Sequence, residues 1–166
     1  MKDTRKLVVL ALLTALALII FVLESMIPPL VPIPGIKLGL ANIITLFVLA
    51  RYGAKEAVVV TVVRIILASV FAGQAISFIY SIAGGALCLI LMILLHKLSG
   101  GKLLWFTSVI GAVAHNTGQL IAASVIMGTK YVFAYAPFLL VSGVVTGLFT
   151  GLCAYLMLKY IPEKLL

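Results

Sequence analysis

The chain has 166 residues, of which 64% are hydrophobic and only 10% are charged, and its mean hydropathy is +1.34. Because a soluble domain carries about 25% charged residues, this composition excludes a soluble enzyme and predicts one integral membrane domain over residues 1–166. The net charge of +8 does not indicate nucleic-acid binding, since the basic residues separate apolar segments and form no patch.

Six apolar segments predict an all-α bundle of six transmembrane helices. A spanning helix needs about 20 mostly apolar residues. The first, fourth, fifth and sixth segments are long enough, whereas the second and third are short. The predicted helices are Leu7–Leu23, Leu38–Ala50, Ala57–Ala72, Ser77–Leu95, Leu103–Met127 and Pro137–Tyr160.

The first segment follows three basic residues, Lys2, Arg5 and Lys6, as the apolar core of a signal peptide does. The run is too long for such a core and no small-residue cleavage site follows it, so we interpret it as a retained helix. Ala11 and Ala15 form a small-xxx-small pair on this helix, a spacing that by itself favours packing within the bundle.

The first loop, Glu24–Lys37, holds four of the six prolines. Proline fixes φ and removes a backbone donor, which predicts a stiff, extended segment. Two interpretations stay open: a connector at the bilayer surface, or a gate over an external cavity. The gate of the second interpretation consists of Pro28, Pro29, Pro32, Pro34 and Gly35.

The second segment, Leu38–Ala50, has only 13 residues and is the weak point of the six-helix prediction. Irregular backbone at its start is tolerated at membrane depth only where protein or a water-filled cavity covers it. The alternative is a five-helix bundle in which this segment re-enters the membrane without crossing it.

Arg64 is the strongest functional signal in the sequence. It lies seven residues after Ala57, which is about 10 Å along the third helix and near the membrane midplane. An arginine at this depth costs roughly 2.5–3.5 kcal/mol. No carboxylate lies within the apolar segments, and Glu24, at the outer end of the first helix, lies shallower. Arg64 therefore binds either backbone carbonyls at a helix break or an anion.

The fifth helix carries a second polar group in the run GAVAHNTGQ, residues 111–119. His115 and Gln119 share one helix face, and Asn116 lies on its flank. Three large polar side chains within five residues are unstable against lipid, so they predict a cavity or a network between helices. Gly111 and Gly118 allow a neighbouring backbone to approach closely.

Further polar side chains lie at the outer ends of the second and fourth helices: Asn42, Gln74, Ser77 and Ser81. With Gln119 they predict a cavity that is open to the outside, with Arg64 and His115 at its floor. Such a cavity suits a small external molecule, and we interpret these side chains, together with Asn116, as its binding residues.

The other basic residues predict the orientation of the bundle. In a six-helix chain nine of them lie on the side of the termini and two, Lys37 and Lys130, lie on the other side. The positive-inside rule then places both termini in the cytoplasm. The nine residues are Lys2, Arg5, Lys6, Arg51, Lys55, Lys97, Lys102, Lys159 and Lys164.

The sequence lacks the residues that common catalytic motifs require. It has no Ser/His/Asp set, no paired carboxylates, no Walker-type phosphate loop and no HExxH motif. Prenyl transfer needs Asp-rich motifs that bind magnesium, and the one aspartate is Asp3. Cys88 and Cys153 lack metal-site spacing, and we interpret them as packing residues. We therefore expect no catalytic residue, no metal and no cofactor.

Three stretches carry a resemblance to a known family: LGLANIITL, the arginine of VVRIILASVFAG followed by SFIYSIAGGALC, and above all GAVAHNTGQLIAA. The chain resembles the Gx transporter family, whose members are also labelled heptaprenyl diphosphate synthase component I, most clearly from Leu38 to Met127. That family is grouped with the substrate-binding S components of energy-coupling factor (ECF) transporters. The resemblance implies a six-helix S-component fold in a bacterial cytoplasmic membrane, with an external pocket beneath the first loop.

The resemblance also implies partners. S components dock on a transmembrane coupling subunit, which works with ATPases, through an Ala-xxx-Ala face of the first helix, and Ala11 and Ala15 fit that pattern. Because the chain has no ATP site of its own, active transport needs such a subunit or an ion gradient. Family members also resemble a membrane component of flavin- and quinone-based extracellular electron transfer.

The leading hypothesis is a membrane protein that captures a small, anionic, partly apolar metabolite, with Arg64 pairing its charge. On family context, a quinone precursor, an isoprenoid precursor or a vitamin is the expected class. The alternative is a non-transporting subunit that anchors a polyprenyl synthase or an electron-transfer complex. In that case the polar side chains serve helix packing or contact a lipid headgroup.

Overall fold

The computed structural model describes residues 2–27, 36–72 and 75–162, which form six α-helices and one 3₁₀ helix and contain no strand. The helices are α1 Lys2–Ser25, α2 Asn42–Tyr52, α3 Ala54–Ala72, α4 Ala75–Leu98, α5 Leu104–Met127 and α6 Ala136–Tyr160, with the 3₁₀ helix Lys130–Tyr135 before α6. The predicted gate (Pro28, Pro29, Pro32, Pro34 and Gly35) and Gln74 lie outside the described residues.

Each of the six predicted segments contains a helix, so the all-α prediction is confirmed. Four stretches are long and apolar enough to cross a membrane: Thr4–Ser25, Ile76–Leu98, Leu104–Met127 and Lys130–Tyr160. The chain is therefore a multi-pass membrane protein. The crossing of all six helices, and the cytoplasmic position of the termini, stay predictions.

Helix α2 begins at Asn42, four residues later than the sequence predicted, and has only 11 residues. It is about 16 Å long, whereas the hydrocarbon core of a bilayer is about 30 Å thick. Its residues from Asn42 to Leu49 are all buried, and it contacts every other α-helix of the bundle. A helix that is apolar on all sides is stable only when it is enclosed, and α2 has this central position.

The other helices surround α2 in a fixed order of neighbours. Helix α1 packs on α3, α3 on α4, α4 on α5, and α5 on α6, while α6 returns to α2. The largest apolar core lies around Phe47 and Leu46 of α2, with Leu13 of α1, Val60 of α3 and Met92 of α4. Large apolar side chains on the outer faces remain exposed, as lipid contact requires.

Glycines set the closest helix contacts. A Cβ atom on Gly118 of α5 would lie 2.5 Å from the carbonyl oxygen of Ala83 on α4, and one on Gly147 of α6 would lie 2.5 Å from Cα of Val109. The predicted close approach of a neighbouring backbone is therefore confirmed at Gly118. At Gly111 the neighbour is the side chain of Met92, whose Cε would lie 2.3 Å from a Cβ.

Contacts between distant segments place the start of α1, the end of α6 and the α2–α3 turn at one end of the bundle. Lys6 forms an ion pair with Glu56 at the start of α3. Nη2 of Arg51 lies 3.5 Å from the carbonyl oxygen of Ile161, just beyond α6. The predicted orientation, with nine basic residues on one side of the membrane, requires these segments to share one end of the bundle.

Candidate functional site

The site begins with irregular backbone inside the bundle. Residues 36–41, between the first loop and α2, are not helical, yet Ile36, Gly39 and Ala41 are buried. Such backbone is stable at membrane depth only when its N–H groups have partners within the protein. For Lys37, Gly39 and Leu40 these partners come from α1 and α5.

Glu24, one residue before the end of α1, provides the first anchor. Its carboxylate is only 5% exposed, and its two oxygens accept hydrogen bonds from the N–H groups of Gly39, at 2.7 Å, and Leu40, at 2.9 Å. These groups lie at the amino end of α2, where the helix dipole favours a negative charge. Glu24 therefore anchors the two residues that precede the N-cap of α2. From the sequence, Glu24 is only a shallow candidate partner for Arg64, although a lone acidic residue in an apolar helix is itself a signal of a buried contact.

Gln119 provides the second anchor of the irregular segment and also bonds His115. The N–H of Lys37 donates to Oε1 of Gln119 at 3.2 Å, and Nε2 of Gln119 lies 3.0 Å from Nε2 of His115. Because a backbone N–H only donates, the Gln119 atom that accepts from Lys37 is the oxygen. The Gln119 amide nitrogen must then donate to His115. His115 is therefore the neutral tautomer with its proton on Nδ1.

Two glycines make room for this network. Gly39 has φ +81°, and a Cβ there would lie 2.7 Å from Cδ2 of His115 and 2.8 Å from Nδ2 of Asn42. A Cβ on Gly84 of α4 would lie 2.9 Å from Nδ1 of His115 and 2.9 Å from Cγ of Gln119. The His115 ring is thus enclosed between the irregular segment and α4.

Arg64 is buried beside this network, as the sequence predicted, and is 4% exposed. Its Nε and Nη2 have no hydrogen-bond partner, and no carboxylate forms an ion pair with it, in the part of the chain that the structure describes. Glu24 interacts with it electrostatically, but the oxygens of Glu24 are bonded to backbone. A Cβ on Gly85 would lie 4.0 Å from Nη2 of Arg64, so the guanidinium lies next to α4.

Three further buried donors of this region lack an acceptor among the described residues: Nδ2 of Asn42, Oγ of Ser77 and the protonated Nδ1 of His115. Ser77 and Ser81, both buried, are one turn apart on α4, and the same face continues to Gly84 and Gly85. We name Glu24, Lys37, Asn42, Arg64, Ser77, Ser81, His115 and Gln119 the polar cluster. It contains more unpartnered donors than acceptors.

Asn116 does not belong to the polar cluster. Its Nδ2 donates to the carbonyl oxygen of Leu139 at 2.7 Å and lies 3.3 Å from Oγ of Ser142, both on α6. It also lines an open groove of about 200 Å³ on the side of the bundle, formed with apolar residues of α5, the 3₁₀ helix and α6 such as Leu120 and Phe133. Adjacent helix positions point about 100° apart, which separates Asn116 from His115.

The predicted docking residues lie on the outer face of α1. Ala11 and Ala15 are both exposed, and large apolar side chains such as Leu12 and Ile19 are exposed near them. The described residues also contain no group of three His, Cys, Asp or Glu side chains that could hold a metal ion.

Comparison with known proteins assigns the family. The family model for heptaprenyl diphosphate synthase component I matches residues 13–157, which is well over half of the chain and includes the whole polar cluster. No curated protein and no solved structure shows significant similarity to the chain. The match confirms the resemblance noted in the sequence, and the chain belongs to the heptaprenyl diphosphate synthase component I family.

Proposed function

We propose that this protein is the membrane-embedded binding component of a transport system, similar to an ECF S component, and that it captures a small, anionic, partly apolar metabolite. A quinone precursor, an isoprenoid precursor or a vitamin is the proposed class. The chain itself transfers no prenyl group in this proposal.

The observation that carries the proposal is the state of Arg64. A buried arginine costs several kcal/mol unless its charge and its donors are matched. Its Nε and Nη2 lack an acceptor among the described residues, and the same holds for Nδ2 of Asn42 and Oγ of Ser77. A bound anion would supply the missing charge and acceptors together.

The contacts divide the predicted binding residues that the structure describes into three roles. Arg64, Asn42 and Ser77 retain unused donors and form the contact group, with Ser81 beside them on α4. His115 and Gln119 bond each other, and Gln119 bonds the backbone of Lys37, so the pair positions the irregular segment. Asn116 joins α5 to α6 and contributes to packing.

Energy for transport would come from a partner. The exposed Ala11 and Ala15 on α1 support docking on a transmembrane coupling subunit with its ATPases, because small side chains let helices approach closely. Replacing both alanines with leucine would then abolish co-purification with that subunit and leave the fold intact.

Mass spectrometry of small molecules extracted from the purified protein tests the proposal. Wild type and Arg64→Gln would be compared, with Lys97→Gln, an exposed cation at the end of α4, as the control. A specific metabolite that is retained by wild type and Lys97→Gln and lost from Arg64→Gln is the expected result. The same lipid profile in all three samples would refute a ligand at Arg64.

A second candidate is favoured by the family's description, which names a synthase component. In this alternative the chain is a membrane subunit that anchors a polyprenyl synthase or an electron-transfer partner. The exposed Lys55 and Lys97 would then contact that partner at the predicted cytoplasmic end. Loss of a co-purifying synthase in Lys55→Glu and Lys97→Glu, but not in Arg64→Gln, would favour the anchor.

A further inference from the structure

The charges around Arg64 limit what the site can bind. Three charged side chains of the described residues interact electrostatically there: Glu24, Lys37 and Arg64. One of these is an anion and two are cations, so their sum is one positive charge. His115 adds none, because its Nε2 accepts from Gln119 and its ring is neutral.

The existing contacts show which charge is unmatched. Glu24 uses both carboxylate oxygens on the N–H groups of Gly39 and Leu40, so it compensates the amino end of α2. The Lys37 ammonium donates to Oγ of Ser25 at 2.9 Å and lies 3.4 Å from the centre of the Phe21 ring. It is half-buried and reaches the rim of the bundle. Arg64 is the cation that lacks a direct partner.

The unpartnered atoms of Arg64 also indicate the shape of the missing group. Nε and Nη2 form the lateral edge of the guanidinium, whose two parallel N–H bonds match the two oxygens of a carboxylate. A second negative charge buried beside Arg64 would lose its hydration. Of the three charged side chains, Lys37 at the rim is the one left to offset that desolvation cost.

We infer that the polar cluster is matched to a ligand with one negative charge, a monocarboxylate bound side-on to Arg64, and that it discriminates against phosphate and diphosphate esters. This inference rests on the proposed function and specifies its ligand class. A diphosphate carries two or three negative charges at neutral pH and would leave at least one of them buried without a partner. The prenyl diphosphate in the family's name is therefore not the ligand of this site.

Thermal unfolding of the purified protein in detergent with defined anions tests the inference. The probes are benzoate, a partly apolar monocarboxylate, and pyrophosphate, each titrated at pH 7 against sodium chloride of equal ionic strength. Benzoate is expected to raise the Tm of wild type by about 2–4 °C at saturation, with an affinity at least tenfold above that of pyrophosphate. In Arg64→Gln the benzoate effect is expected to vanish.

The other outcomes separate the two proposals. A pyrophosphate effect that equals or exceeds the benzoate effect in wild type and is lost in Arg64→Gln would overturn the inference but keep the anion site. If neither anion gives a shift that depends on Arg64, both the inference and the proposed function fail. Should Arg64→Gln not fold, Ser77→Ala and Asn42→Ala replace it, since each removes one donor and keeps the buried charge.

Discussion

The N–H of Gly39 donates a 2.7 Å hydrogen bond to Oε1 of Glu24, fifteen residues earlier in the chain. This bond joins the end of α1 to the irregular backbone that leads into α2. It explains why a short helix with a non-helical approach is stable inside an apolar bundle, because the carboxylate satisfies backbone donors and the positive end of the helix dipole together. The base of the predicted external loop is thereby held against the polar cluster.

Glu24→Gln is expected to lower the free energy of unfolding by about 1–3 kcal/mol, because an amide offers one acceptor oxygen to two N–H groups and carries no charge. Thermal or denaturant unfolding in detergent measures this loss. Glu56→Gln is the matched control, since Glu56 pairs with Lys6 at the partly exposed end of the bundle and is expected to cost less than about 1 kcal/mol. Equal losses would show that Glu24 does not anchor the backbone of Gly39 and Leu40.

Gly39→Ala is expected to cost about 2–4 kcal/mol, because a side chain at φ +81° is strained and its Cβ would overlap His115 and Asn42. Gly128→Ala is the control: it also has a positive φ, +63°, but has no atom within 4 Å of the added Cβ. The control is expected to cost only about 1 kcal/mol. Similar losses at the two glycines would mean that the contact with His115 is not tight.

Gly118→Ala is expected to separate α4 from α5 and to lower stability by about 2–3 kcal/mol, because the added Cβ would lie 2.5 Å from the carbonyl oxygen of Ala83. Gly151→Ala on α6 is the comparison, since its nearest contact is 3.1 Å from a side-chain atom of Ser108. The loss there is expected to be under about 1 kcal/mol. A larger loss at Gly151 than at Gly118 would contradict this order.

Gln119→Leu is expected to leave the Lys37 N–H and Nε2 of His115 without their partner, at about 1–3 kcal/mol for each unsatisfied group. Hydrogen exchange of the amides in residues 36–41 reports the effect directly, and the Lys37 amide is expected to exchange faster than in wild type. Thr117→Val on the same helix is the control, because the Thr117 hydroxyl donates to the carbonyl oxygen of Val113 one turn earlier on α5 itself. An unchanged exchange rate of the Lys37 amide in Gln119→Leu would show that Gln119 does not anchor the irregular segment.

Lys37 gives a pH dependence of known sign. Burial lowers the pKa of Lys37 and the positive charge of Arg64 acts in the same direction, whereas the Glu24 carboxylate opposes the shift. Between the lowered pKa and the ordinary value of 10.5, the unfolded chain binds more protons than the folded protein, so the free energy of unfolding rises with pH. This rise is expected to be absent from Lys37→Gln in unfolding experiments at pH 8–11, and a parallel pH profile in the two proteins would contradict it.

The sequence alone predicted the membrane class, a helix in each of the six apolar segments and the burial of Arg64. These follow from local properties: the length of each apolar segment, the rise per residue of a helix, and the cost of a charge in lipid. Arg64 is buried in α3, and its depth near the membrane midplane stays a prediction. The helix ends differ from the predictions by a few residues, since packing decides where a helix begins. The close approach at Gly118 was predictable in kind, because only a glycine admits a neighbouring backbone.

The partner that each buried polar side chain contacts depends on the tertiary packing and does not follow from the sequence. Gln119 meets the backbone of Lys37, 82 residues away in the chain, and Glu24 meets the start of α2. Asn116, one position after His115, bonds α6, whereas His115 faces the irregular segment and Gly84. Helix periodicity tells which side chains share a face, but it does not tell which helix lies opposite that face. The partner of a buried polar group comes from a distant part of the chain, and the packing of the helices around α2 brings the two together.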